Sequence, residues 1–368
     1  MMVKHTICPS CSVGCGINLI NQNEKIVGTY PYKRHSVNEG KNCLRGRDCF
    51  EIVSENRITS PLVRKGNELV DSEWETILEM ISEKLKSYSP EEIGILGSGN
   101  STNEENETIK KFAESYGITN IGFFAENFPQ FNDQVASYDD LNNSKFIFII
   151  GDVLNENPLI GRRIILAKEN GAEIISADTV DVSTTSLNSD QYLKFDSISE
   201  LISNIPVDIK EKLNDSSTIV FNKLDEKEEF TVIREIAKEF NSKLLPVLNK
   251  CNTSGAMKII SPLNNDEIRD LISRIKVLIV INDDPASYLQ DSSLSGLDFL
   301  VSITSSSNDT TSISDVVLPA HCWAEKSGSF TNTAGMTQNF SKIVVSPENT
   351  LSESVIIEKL AEKLGIEL

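Results

Sequence analysis

No apolar run in this chain approaches the roughly 20 residues that span a bilayer, so nothing in it asks for a membrane. The N-terminal stretch MMVKHTICPS is too short and polar for a secretion signal, and the expectation is a cytoplasmic protein. Basic residues are in deficit: 35 Lys and Arg stand against 54 Asp and Glu, a formal net charge of −19. Non-specific binding to nucleic acid or anionic lipid needs a basic face and is disfavoured. Histidine is scarce as well. His5, His35 and His321 lie far apart in sequence, offer no metal-binding pair, and read as solvated or hydrogen-bonded side chains. Cysteine is missing from positions 50 to 250.

What cysteine there is clusters at the start. Without a secretion signal, Cys8, Cys11, Cys15, Cys43, Cys49, Cys251 and Cys322 read better as metal ligands plus isolated thiols than as disulfides. Cys8, Cys11, Cys15 and Cys43 form the pattern C-x2-C-x3-C-x27-C. Four thiolates suit zinc or an iron–sulfur cluster. A zinc ribbon presents two similar C-x2-C knuckles, whereas here three cysteines share one turn-rich loop and the fourth arrives later. That spacing favours a 4Fe–4S cluster over structural zinc, and either over a chance group of buried thiols. Gly14 and Gly16 flank Cys15, where backbone must come close to sulfide. Cys49 in CFEIV reads as an apolar filler, and Cys251 and Cys322 as lone core or loop thiols.

A length of 368 residues allows two or three packed units. Residues 1–65 carry the cysteines and short strand-like runs, and would depend on a metal because their apolar surface is small. From DSEWETILEMISEKLKSY onward, Trp74, Ile77, Leu78, Ile81 and Leu85 recur at helical spacing, with Asp71 or Ser72 as candidate N-caps. Short apolar runs (IGIL, KFIFIIG, STIVF, VLIVI) then alternate with helical patterns. The fold class is α/β, a small N-terminal metal domain followed by doubly wound parallel-sheet lobes over 66–200 and 201–368. No internal repeat of short fixed period is visible. Ligands of such sheets sit beyond the carboxyl ends of the strands, where GSGNST, GDVLNENP and NDDPAS fall. The same loops also read plainly as capped strand-to-helix turns, with Asn103, Glu104 and Glu105 capping the helix that follows.

CPSCSVGCGINLI, followed by YPYKRHSVNEGKNCLRGRDCFEIVSENRITSPLVRKG, closely resembles the N-terminal domain of formate dehydrogenase alpha subunits of the methanogen type. These are molybdopterin oxidoreductases. ISDVVLPAHCWAEKSGSFTNTAGMTQNFSKIV and LPVLNKCNTSGAMKIISP are similar to two further family stretches. The resemblance implies a 4Fe–4S cluster on the four cysteines, beside a molybdenum or tungsten bis-pterin guanine dinucleotide. It places Arg45 as electron relay, where the family usually has Lys, and Asn155, Asn157, Asp178, Asp284, Thr331, Asn332 and Gly335 around the pterin dinucleotides. It also implies a flavin or iron–sulfur redox partner, formate dehydrogenase beta-like or heterodisulfide reductase-like.

Active members carry a selenocysteine or cysteine metal ligand, with a His beside it, just before the stretch SKFIFIIG. Here that segment reads ENFPQFNDQVASYDDLNN, shortened and without either; only Asp133, Ser137, Asp139 and Asp140 could offer oxygen. The stretch 196–243 is compressed, and the terminal domain that clamps the pterins is not in this sequence. The expectation is an iron–sulfur subunit with an electron-transfer or scaffold role and no molybdenum or tungsten site of its own. The alternative is an active enzyme that takes formate to CO2 and passes electrons to a deazaflavin or ferredoxin-type acceptor.

Overall fold

A computed structural model describes residues 2–23, 25–290 and 292–368. Two runs, FIFII (Phe146–Ile150) and VLIVI (Val277–Ile281), are buried at every position. A strand covered on both faces has no solvent side to mark, so it reads as continuous apolar sequence. Each lies inside its own sheet. The first sheet runs in the order Gln191–Lys194, Glu173–Asp178, Phe146–Ile150, Ser217–Phe221, Lys243–Pro246, all parallel. The second runs Pro262–Leu263, Asn120–Phe124, Ile93–Gly97, Val277–Ile281, Phe299–Thr304, Val316–Pro319, Leu62–Lys65, Glu68–Asp71. Its last two strands are antiparallel.

This pairing crosses the expected division at 200/201. Strands on both sides of that point share the five-stranded sheet, whose residues 146–246 sit within the sequence span of the eight-stranded one. The larger sheet also begins before residue 66, since Leu62 and Val63 pair with Val317 and Val316. Lobes are set by which strands exchange backbone hydrogen bonds, and that is decided by packing far apart in sequence.

Helices cover the sheets through one apolar face. Trp74–Lys86 buries Ile77, Leu78, Ile81 and Leu85, each worth about 1.5–3 kcal/mol against exposure. Its N-cap is Glu73, without a side-chain capping bond, so packing and not the cap holds it. The expected cap Asp71 instead pairs with the Ser60 hydroxyl. For Asn103–Tyr116 the cap is Thr102, whose hydroxyl accepts from Glu105 N at 3.1 Å while Glu105 accepts from Thr102 N at 2.8 Å.

The N-terminal strands Met2–Ile7, Gly16–Gln22 and Lys25–Pro31 form an antiparallel sheet. This segment does not stand alone on a small apolar surface. Ile7, Val13, Ile17 and Leu19 continue into the core of the five-stranded lobe through Ile147, Ile149, Ile164 and Leu245. Among the described residues, no helix is long and apolar enough to cross a membrane.

The two parallel sheets repeat one device at their strand ends. In one lobe the Asp152 carboxylate accepts from Thr185 N (2.8 Å) and Thr185 Oγ1 (2.9 Å), and Leu154 N donates to that hydroxyl at 3.0 Å. In the other, Asp284 accepts from Thr310 N (2.8 Å) and Oγ1 (2.7 Å), and Ala286 N donates to that hydroxyl at 3.0 Å. Further on, Ser189 meets Ser176 and Asp190 accepts from Ile174 N; Ser314 meets Ser302 and Asp315 accepts from Leu300 N. The lobes are thus a long-period duplication in hydrogen bonding, which no short repeat would reveal.

Candidate metal centre and the loops beside it

The strand Met2–Ile7 delivers Cys8, and the chain turns back through Cys11 and Cys15 into Gly16–Gln22. Cys8 N donates to Cys15 O at 2.8 Å and closes that loop. Cys43 comes from the other side as N-cap of the short helix Leu44–Asp48, its sulfur accepting from Gly46 N at 3.4 Å. Cys8, Cys11 and Cys15 are buried, whereas Cys43 is half-buried and marks the edge nearest solvent.

Gly14 (φ +75°) has no room for a Cβ: it would overlap Gln338 and lie 2.9 Å from Asn332 Cβ. One at Gly16 would enter the His35 ring. Protein side chains crowd these two glycines. The loop is also tied from beneath, with Thr333 N on Ser12 O at 2.8 Å and Tyr138 Oη on Val13 O at 2.7 Å.

As placed, no three His, Cys, Asp or Glu side chains among the described residues are arranged to hold a metal ion. The four cysteines nevertheless sense one another. Burial pushes the Cys11 thiol up to about 12, helped by charge on Cys8. Burial and then charges on Cys8, Cys11 and Cys43 push Cys15 up well above the thiol range. Cys8 moves the other way, down to about 7, chiefly because the Cys49 thiol donates to it. Cys49, buried, is therefore a neighbour of the cysteine loop as well as a filler. The guanidinium of Arg45 lowers Cys8 and Cys11, and that of Arg163 lowers Cys15. Three buried thiols and a half-buried one, with mutually repelling anions and two cations beside them, form a donor set that an added polycation would relieve. A 4Fe–4S cluster takes four thiolates, and this donor set fits it.

Arg45 bridges two regions. Its guanidinium donates to Glu156 O in the loop after Phe146–Ile150, and Ser10 Oγ donates to Arg45 O at 3.3 Å. The other predicted residues do not form one site. Asn155 is exposed and Asn157 buried just beyond the carboxyl end of Phe146–Ile150, the central strand of the five-stranded sheet. Asp178 there accepts from Thr179 N at 2.7 Å and faces Lys223 at 3.6 Å. Asp284 belongs to the other lobe. Thr331 and Asn332 are buried beside the cysteine loop, with Thr331 N on Asn252 Oδ1 (2.7 Å) and Asn332 Oδ1 accepting from Ala334 N (3.1 Å) and Met336 N (3.0 Å). Gly335 is exposed at φ +77°. Asn103 and Glu104 reach beyond their helix to this hairpin: Asn103 Nδ2 donates to Ser329 and Thr331 hydroxyls, and Glu104 accepts from Ser329 N at 2.9 Å.

The segment 126–143 is folded into the core. Phe128 stacks on Phe221 and Phe131 on Phe230, and Ala136 N donates to Leu244 O at 2.7 Å. Asp133 is ion-paired with Lys238 (3.0 Å) and Arg234 (3.4 Å), Ser137 and Asp140 cap one another's helix turn, and Asp139 is exposed. A cleft of about 430 Å³ runs beside it, lined by Asn132, Gln134, Ser254 and Gly335. A second, of about 400 Å³, opens at the strand ends of the larger sheet, where Lys250 pairs with Asp283 and Tyr288 Oη donates to the same carboxylate at 2.9 Å. Sequence reasoning missed Asp152, Thr185, Thr310, Lys250 and Asp283. Thr185 and Thr310 lie in TTSLNSD and DTTSISD, whose similarity carries the duplicated bonds.

Comparison with known proteins agrees with this architecture. Residues 1–55 match the molybdopterin oxidoreductase Fe4S4 domain and residues 57–363 match molybdopterin oxidoreductase. The F420-dependent formate dehydrogenase 1 subunit alpha of Methanococcus maripaludis is 29% identical over 473 residues, taking in 98% of this chain and 70% of its own. The F420-dependent formate dehydrogenase subunit alpha of Methanocaldococcus jannaschii is also 29% identical, over 99% of this chain and 70% of its own. An alignment so much longer than this chain means that roughly a hundred residues of each relative have no counterpart here. Among solved structures, acetylene hydratase from Pelobacter acetylenicus superposes with a TM-score of 0.73 at 15% identity, covering 98% of this chain and 69% of that one. With a cysteine domain and a lobed body matched end to end in one order, the chain belongs to the molybdopterin oxidoreductase family.

Proposed function

We propose that this chain is an iron–sulfur subunit, derived from a formate dehydrogenase alpha subunit, that carries electrons within a larger complex and has no molybdenum or tungsten site of its own. The observation that carries the reading is the contrast between residues 1–55, which match an Fe4S4 domain and hold Cys8, Cys11, Cys15 and Cys43, and the segment 126–143, which offers no thiolate or imidazole. Asp133 is ion-paired, Asp140 caps a turn, Asp139 is exposed and Glu126 is partly buried beside Asn249, while the segment's aromatics fill the lobe. A catalytic metal needs ligands in fixed geometry with support behind them, and this segment supplies neither.

Some of the residues expected around the pterin are engaged within the chain, which supports this reading. The polar groups of Thr331, Asn332 and Asp284 already have partners inside the chain. No step is therefore drawn through a pterin. A 4Fe–4S cluster supplies reversible one-electron transfer; the chain's own part is to bury three of its ligands and leave the fourth near the surface. Since the relatives are alpha subunits, a flavin or iron–sulfur partner subunit completes the reading.

The test is metal and pterin analysis of protein produced without oxygen and with molybdate and tungstate supplied. About four irons and four sulfides per chain, no stoichiometric molybdenum or tungsten, and no formate oxidation with an artificial acceptor are expected. The competing reading, an active formate dehydrogenase, draws on the length of the 29% match. It wins if one molybdenum or tungsten per chain accompanies formate turnover.

A further inference from the structure

Charge is divided very unevenly along this chain. Residues 1–65 hold ten Lys and Arg against five Asp and Glu, a balance of +5, although the whole chain stands at −19. The remainder therefore carries −24. The excess gathers where the cysteine cluster comes nearest to solvent. Lys33 packs against Gly40, next to Lys41, in the loop that leads to Cys43, and the helix Leu44–Asp48 presents Arg47. Thr29 Oγ1 donates to the Gly46 and Arg47 carbonyls at 3.1 and 2.7 Å, fixing this helix on the edge strand Lys25–Pro31. Lys33, Arg34, Lys41 and Arg47 are exposed and make no ion pair among the described residues. The carboxylates on the same face are Asp48 and Glu51; Glu39 is already held by Arg162 at 3.0 Å.

The same face exposes apolar side chains. Leu44, the residue after the half-buried Cys43, is 68% exposed, and Val27 on the adjoining strand is 48% exposed. An apolar centre ringed by unpaired cations is the composition of a recognition surface. On a body so strongly negative, it is also where an acidic molecule would be drawn in.

We infer that the face built from Lys33, Lys41, Leu44 and Arg47 docks an acidic one-electron carrier protein. This rests on the cluster reading above and names the partner for it. In the encounter the reduced cluster gives up one electron and the carrier gains it; no bond forms or breaks. The cations steer the carrier toward this face, while the body repels it from every other. Leu44 then excludes water close to Cys43.

The experiment uses the cluster-loaded chain and a small acidic ferredoxin as probe. Stopped-flow oxidation of the reduced chain should slow about tenfold as salt rises from about 20 to about 500 mM, since the Debye length falls through the dimensions of the contact. The triple variant Lys33→Glu, Lys41→Glu, Arg47→Glu should be at least about tenfold slower at low salt and lose that salt dependence. Its cluster electron paramagnetic resonance signal, and its rate with a small uncharged quinone, should match the parent's. Leu44→Ser should lower the rate at every salt concentration. A triple variant with an intact signal and the parent's ferredoxin rate would overturn the inference, as would faster reaction with a basic cytochrome. Failure of the cluster reading looks different: the parent itself shows no signal. Calorimetric titration with ferredoxin then decides, since binding by the parent and not by the variant supports the face, and equal or absent binding overturns it.

Discussion

The cysteine loop and the strand-end loops of the two lobes answer the same physical problem in opposite ways. At Asp152 and Asp284 each carboxylate meets the N–H and hydroxyl of a threonine on the short helix after the neighbouring strand, so these polar groups are satisfied inside the chain. At Cys8, Cys11, Cys15 and Cys43 the buried groups repel one another once ionised, and nothing in the chain relieves them fully. One region is closed upon itself. The other is complete only with something added.

The largest effect should come from breaking the open region. Cys11→Ser or Cys43→Ser should remove most of the iron and loosen residues 1–55, because binding there is also folding energy. Iron analysis and hydrogen exchange check it; the lobes, tied by their own cores, should keep their protection. Uniform loss of protection would mean that the two regions fold as one.

Next come the closed loops. Asp152→Ala and Asp284→Ala each delete an acceptor of two hydrogen bonds, and bonds to charged groups are worth about 1.5–3 kcal/mol each. A loss of about 2–4 kcal/mol in urea unfolding is expected from either, with iron content unchanged. Equal losses would support the duplication. A loss at one site only would show that the lobes have diverged in energy as well as in sequence.

Much of this was legible beforehand, and the exceptions share a cause. Continuous runs such as FIFII and the helical spacing of Ile77, Ile81 and Leu85 announce strands and helices because burial dictates residue type. The four cysteines announce themselves because thiolates have few alternative uses in such spacing. The lobe boundary was misplaced because pairing of 146–150 with 217–221 involves no residue type that marks it. The duplication hides in Thr185, Ser189 and Asp190 against Thr310, Ser314 and Asp315, polar residues of the most ordinary kind. Lys326 stands within the family-like stretch EKSGSFTN, yet its burial between Glu105 (2.7 Å) and Glu353 (2.8 Å) depends on helices far away in sequence.

That buried triad sharpens the comparison, because its closure within the chain is imperfect. Two carboxylates share a single ammonium, and Glu353 Oε2 has no partner. Burial, then repulsion from Glu105, pushes Glu353 up to about 8. The folded state therefore holds a proton that the unfolded state releases near the ordinary carboxylate value of 4.5. Its stabilising contribution is complete below that value and is lost as pH rises through about 8. Between pH 6.5 and 9 the chain should lose roughly 1–2 kcal/mol through this group. Glu353→Gln, which cannot ionise, should flatten the profile and be the more stable protein at pH 9. An unchanged slope in the variant would assign the drift to other groups.

The smallest effect concerns the point where the two regions touch. Arg45 donates to Glu156 O in the closed loop while its charge lies near Cys8 and Cys11 in the open one. A cation beside a cluster favours its reduced, more negative state and raises its potential. The side chain is exposed, so water screens it, and interactions of exposed charges amount to about 0.2–1 kcal/mol. At 59 mV for each tenfold change in a one-electron couple, the shift on Arg45→Gln should be about 10–40 mV downward. Arg45→Lys should restore most of it, since charge and not the planar fork acts on the cluster, but should weaken the bond to Glu156 O. Iron content should not change in either variant. A spectroscopic redox titration settles the matter: if Gln and Lys shift the midpoint alike, the residue works by holding Glu156 in place, and the two regions communicate through the backbone rather than through charge.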